Sequence, residues 1–246
     1  MSAIPFRICR AFLLVSLSAL LFSASCHRIP DIKAGIQLSI AHEVDAQPLM
    51  TDSIAYQNEA GNPYSVTRLE YYLSDFKFIR ADGSFEEIEL THYCNPRKAE
   101  SLNMDMELPE GSYIGLEFLL GIPAARNLSY TLPATSENIN MAWPENMGGG
   151  YHFMKLEGHF IDNQGKEKGF AMHLGMNQWL VHIRLDRNME FKGDQNPVRL
   201  SMNINEWFRN PHTYDFNVQG NYTMGIDSLM GKLSENGRDV FTLTNP

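Results

Sequence analysis

Residues 66–94 read VTRLEYYLSDFKFIRADGSFEEIELTHYC. Val66 to Ile79 is rich in aromatic and β-branched residues, and Ala81-Asp82-Gly83-Ser84 turns the chain into a second run. There Ile88, Leu90, His92 and Cys94 alternate with Glu89, Thr91 and Tyr93. Period-two alternation on both sides of a Gly-containing turn predicts paired strands, since side chains at i and i+2 share one face. The pattern extends outward. Upstream, Ile36, Leu38, Ile40, His42 and Val44 alternate with Gln37, Ser39, Ala41 and Glu43. Downstream, residues 113–120, 151–161, 169–175, 179–185, 198–204 and 240–243 read as further strands, and Ile226 to Glu235 as a helix with Leu229, Met230 and Leu233 on one face. Asn236-Gly237 ends it, with glycine suited to a left-handed cap. Many short strands and almost no helix predict an all-β fold, an antiparallel β-sandwich of immunoglobulin or jelly-roll kind with one short C-terminal helix. Residues 123–150 do not alternate and carry Pro123, Pro133, Pro144 and Gly148-Gly149-Gly150. A loop that long inside a compact domain is commonly functional.

The N-terminus has a different character. Arg7 and Arg10 precede an apolar run from Ala11 to Phe22, and Ser23-Ala24-Ser25 leads to Cys26. This reads as a signal peptide over 1–25, with a run shorter than the roughly 20 apolar residues of a membrane span. Cys26 stands where a lipobox places its acylated residue, although Ser23 replaces the usual aliphatic one. The expectation is a lipidated tether at 26–34 and a domain at 35–246, held to the periplasmic face or outer-membrane surface of the cell envelope. With Cys9 in the leader and Cys26 acylated, Cys94 has no disulfide partner. The formal charge is −9, and losing Arg7 and Arg10 makes the mature chain more acidic. No basic cluster offers a footprint for nucleic acid.

The chemistry rests on eight histidines. Alternation turns His42, His92 and His152 to apolar faces, the last with Met154, Leu156 and Phe160. His173 falls opposite Phe170, Met172 and Leu174, beside the small Ala171 and Gly175. His159 groups with Lys155 and Glu157, and His182 with Arg184, as solvated residues; His27 lies in the tether, and His212 in a Pro-containing loop. A lone inward histidine is ordinarily a hydrogen-bonded core residue. Several of them need several partners, and one shared metal supplies those at once. Met141, Met147, Met154, Met172 and Met176 crowd the same segment, and thioethers with imidazoles suit copper. Methionine is also ordinary core filler, and Cys94 reads equally as a thiolate ligand or a small buried thiol.

The segment 141–158, MAWPENMGGGYHFMKLEG, with 169–175, GFAMHLG, resembles the MbnP-like copper-binding family, which includes the methanobactin-associated copper protein and surface copper proteins of methane-oxidising bacteria. Tyr56 to Gly61, Val66 to Asp75, Gly111-Ser112-Tyr113, Phe118 to Gly121 and Asn236 to Phe241 extend the likeness over most of the mature chain. The resemblance implies one copper ion held by histidines, with a tryptophan oxidised to kynurenine as an additional ligand. Trp143 matches that tryptophan, with Met141 beside it, and His152 and His173 match the ligand blocks. His42 and His92 are added from alternation alone. Pro144-Glu145-Asn146 replaces the family's second tryptophan.

The leading expectation is therefore an exported lipoprotein that binds copper for capture, storage or delivery, with a redox or copper-donor protein as partner. The alternative is a non-metal surface module binding protein or glycan, with Trp143 and Tyr130 as an aromatic platform. An enzyme is not expected: no Gly-x-Ser-x-Gly elbow surrounds Ser65, Ser74 or Ser101, and Gly148-Gly149-Gly150 lacks a phosphate-binding lysine.

Overall fold

The computed structural model describes residues 32–244. The leader, Cys26 and nearly all of the expected tether lie outside them. In chain order the strands are β1 (Lys33–Val44), β2 (Gln47–Pro48), β3 (Tyr56–Gln57), β4 (Pro63–Tyr64), β5 (Arg68–Ile79), β6 (Phe85–Cys94) and β7 (Asn103–Pro109). There follow β8 (Gly111–Leu120), helix α1 (Ser136–Asn140), β9 (His152–Ile161), β10 (Glu167–Gly175), β11 (Val181–Phe191), β12 (Asn196–Asn203), helix α2 (Asp227–Asn236) and β13 (Phe241–Thr244). No helix among the described residues is long and apolar enough to cross a membrane.

Two sheets form an all-β sandwich. The smaller runs β13-β12-β1-β2 with β7 also paired to β1; the larger runs β11-β8-β5-β9-β4-β3, with β6 on β5 and β10 on β9. Alternation explains β1 directly: Ala34, Ile36, Leu38, Ile40, His42 and Val44 are all buried. These face the buried Leu69, Tyr71 and Leu73 of the opposite sheet. Aromatic contacts join the layers, among them Phe118 with Phe241 (ring centroids 5.3 Å apart) and Tyr71 with Phe241 (6.3 Å). One pairing departs from the antiparallel pattern. β1 and β12 run parallel, from Ile36 beside Asn196 to Glu43 beside Asn203. Such a pair needs a long crossover, and most of the chain lies between them.

β5 has an unusual burial pattern. Its inward series passes from Leu73 to Phe76 across Asp75, which has φ +52°, where the register with β8 shifts. Tyr72 and Ser74, on the opposite face, are also buried. The 123–150 segment covers them: Tyr72 Oη donates to Asn138 Oδ1 of α1 (2.7 Å), and the Tyr72 and Tyr151 rings meet edge to face. The expected long loop is thus a packed layer over the outer face of the larger sheet.

Helix α2 buries Leu229, Met230 and Leu233 as its periodicity predicts. The expected left-handed cap does not form, because Gly237 stays right-handed at φ −64°. Its smallness serves packing instead: a Cβ there would lie 2.8 Å from the Trp207 ring.

Candidate metal centre

The segment 141–152 doubles back on itself. Trp143 N donates to Gly150 O (2.9 Å), and His152 N donates to Met141 O (2.7 Å). Between them Gly148, Gly149 and Gly150 have φ +107°, +68° and +85°, a run of left-handed conformations that only glycine adopts without strain. The reversal lays the Trp143 indole on Gly175, where a Cβ would lie 2.5 Å from the ring. Trp143 is 1% exposed, and its Nε1 donates to Met147 O (3.1 Å).

β9 and β10 bring two histidines against this indole. Their register pairs Leu174 with Met154 and Gly175 with His152, one residue against two. That irregularity reverses the face of His152. Alternation placed it with Met154, Leu156 and Phe160, but its ring meets His173, which lies on the outer face with Lys155 and Glu157. The His152 and His173 centroids are 5.1 Å apart, and those of Trp143 and His152 4.7 Å.

Hydrogen bonds assign a proton on each ring. His152 Nδ1 faces the Met141 carbonyl oxygen at 3.1 Å, so it carries a hydrogen and donates. His173 Nε2 faces Glu157 Oε1 at 2.8 Å and likewise donates. In the neutral imidazoles His152 Nε2 and His173 Nδ1 are then bare lone pairs. Both are buried and neither has a partner among the described residues. An unsatisfied buried polar group costs about 1–3 kcal/mol, so two on touching rings are an expensive arrangement unless a ligand accepts both lone pairs. Other buried nitrogens lacking hydrogen-bond partners are N–H donors of Arg126, Trp179, Trp207 and Arg209, which cannot ligate a cation.

The surroundings keep His152 neutral and hold both rings in place. Burial, then the Lys155 ammonium, pushes the His152 pKa down to about 3. The hydrogen bond from His173 holds the Glu157 carboxyl below its ordinary range, aided by Arg68. Thr223 Oγ1 accepts from His173 N and donates to His173 O, both at 2.8 Å. A carboxylate or carbonyl on the non-ligating nitrogen is the usual means of orienting a metal-binding histidine. Glu157 was absent from the sequence candidates, because alternation gives it only an exposed face. The β9–β10 register is what sets it beside His173.

The remaining candidates lie elsewhere. His42 Nε2 pairs with Tyr71 Oη at 2.8 Å across the two sheets, and burial lowers its pKa to about 4. His92 Nε2 meets Ser101 O at 2.9 Å, and burial lowers its pKa as well. Cys94 is fully buried beside Tyr71, with its thiol pKa raised by burial. Each has a local partner. Among the described residues no three His, Cys, Asp or Glu side chains converge on a metal-sized point, so His42 and His92 do not join the His152–His173 pair in one cluster. Met141 contributes its carbonyl oxygen to the site. His159 and His182 are exposed, as read, and His212 pairs with Glu235. Buried Trp143 cannot present an aromatic platform, whereas Tyr130 is 69% exposed.

A sequence model described as MbnP matches residues 33–226, most of the chain. The chain belongs to the MbnP family. Among solved structures, MbnP from Methylosinus trichosporium resembles this MbnP-family protein with a TM-score of 0.55 and 16% identity, over 72% of this chain and 78% of that one. At that identity the likeness is one of fold. No curated protein matches the chain. The copper that the family resemblance implies fits the residues present in one respect: two adjacent, buried, proton-free imidazole nitrogens. It does not draw in His42 and His92, the two histidines added from alternation.

Proposed function

We propose that this protein binds one copper ion between His152 Nε2 and His173 Nδ1, and captures, stores or delivers it from a lipid anchor at Cys26 in the cell envelope. The observation that carries the reading is the pair of buried, unpartnered nitrogens on touching rings. Two neutral donors without a converging carboxylate or thiolate suit a soft, low-charge ion better than zinc, whose structural sites take four ligands. The Lys155 ammonium near His152 adds a Coulomb cost that is smaller for a monovalent ion than for a divalent one. Copper bound here would satisfy both nitrogens at once.

Trp143 walls the site. As an indole it offers a donated N–H and no ligand; a kynurenine at this position, which the family resemblance implies, would place an oxygen or amine beside His152. Enclosure by Trp143, Met141 and the glycine turn supports holding an ion rather than turning over a substrate. A copper-donor or redox protein is the matching partner class.

Elemental analysis of protein purified from its native envelope tests the reading. One copper per chain is expected, absent from His152→Ala and His173→Ala and retained in His42→Gln. Copper retained when both His152 and His173 are replaced, or a metal-free protein that does not take up copper, would overturn it.

A further inference from the structure

Three half-buried methionines pack against the core, and each adjoins a backbone anchor of the site in sequence or through a hydrogen bond. Met147 supplies the carbonyl that accepts Trp143 Nε1. Met176 follows Gly175, the residue beneath the indole. Met224 follows Thr223, which binds the backbone of His173 on both sides. Met147 and Met176 line one open cleft of about 220 Å³ whose other walls are glycine, asparagine and glutamine. No charged side chain lines it.

The position of Met176 is costly to maintain. It has φ +70° and ψ 137°, a conformation that strains a residue with a Cβ. Plain apolar packing would favour burying both methionines in the core, as with Met141, Met154 and Met172. Here the two thioethers flank a solvent-reaching cleft of otherwise neutral polar groups. Thioether sulfur is a soft, uncharged donor that prefers monovalent copper or silver over zinc or magnesium.

We infer that Met147 and Met176 form a thioether port that accepts a soft monovalent cation from outside and passes it to His152 and His173 by ligand exchange. The delivery step rests on the proposed histidine site; the port itself rests on the cleft. Binding needs only sulfur lone pairs, so no electron transfer or proton release accompanies it.

Silver(I) is a redox-inert probe for both steps. The intact protein, labelled at methionine methyl carbons and histidine nitrogens, is titrated with silver(I) and followed by NMR. The Met147 and Met176 methyl signals are expected to shift in the wild type and still to shift in His152→Ala. Met147→Leu/Met176→Leu is expected to load copper(I) several-fold more slowly with unchanged final stoichiometry. Histidine shifts without any shift at Met147 or Met176, or an unchanged loading rate in the double variant, would overturn the port and leave the histidine reading intact. Methyl shifts without histidine shifts would keep the thioether site and overturn both the delivery step and the histidine reading.

Discussion

His42 and His152 are both buried histidines on strands of this sandwich, and burial lowers both their pKa values, yet they are chemically opposite. His42 has its Nε2 closed by Tyr71 Oη in the core between the sheets. His152 has its Nδ1 tied to a backbone carbonyl and its Nε2 open, on the outer face and against the equally open Nδ1 of His173. Burial and strand phase do not distinguish the two. The second nitrogen does: in His152 it is buried without a partner, whereas His42 has no such nitrogen.

Substitution should separate the two regions most strongly. Losing either ligand, in His152→Ala or His173→Ala, is expected to weaken copper binding by more than about 100-fold, beyond the ~10–100-fold typical of an orienting partner. Tyr71→Phe should leave copper affinity unchanged. Competition against a chelator of known affinity checks both.

Acid should act on both regions of the metal-free protein. The unfolded chain takes up a proton near pH 6.5 that folded His42 refuses until about pH 4. Its contribution is therefore fully present above pH 6.5 and is lost as pH falls toward 4, by about 3 kcal/mol in all. Urea denaturation of the metal-free protein across that window should show the slope, to which His152 and His92 add their own, and His42→Gln should reduce it without abolishing it.

Glu157→Gln keeps the shape but removes the charge that orients His173. Copper affinity is expected to fall by about 10–100-fold with little change in thermal stability. The smallest effect expected is that of Tyr71→Phe on stability. It leaves His42 Nε2 unpaired at a cost of about 1–3 kcal/mol. A domain of this size should melt roughly 2–4 °C lower per kcal/mol.

Much of the sandwich was legible because most strands keep strict alternation. β1 buries every second residue from Ala34 to Val44, as its sequence announces. β7 alternates too, with Met104, Met106 and Leu108 inward, but methionine, aspartate and glutamate are weak strand formers and it was not read. The site was half legible. Family-like motifs pointed to Trp143, His152 and His173, while alternation alone wrongly grouped His152 with the core and added His42 and His92. A register irregularity turns His152 outward, and such a feature leaves no trace in a period-two pattern. Glu157 required knowing the β9–β10 register, which sets it across from Ala171 and diagonal to His173.

The most direct test is long-range ¹H–¹⁵N correlation NMR of the imidazole nitrogens in the metal-free protein near neutral pH, repeated after adding one equivalent of copper(I). Unprotonated His152 Nε2 and His173 Nδ1 are expected before addition, with large shifts of both afterwards and an unmoved His42. A proton on either nitrogen of the open pair in the metal-free protein, or copper-induced shifts at His42 in place of His152 and His173, would contradict that expectation.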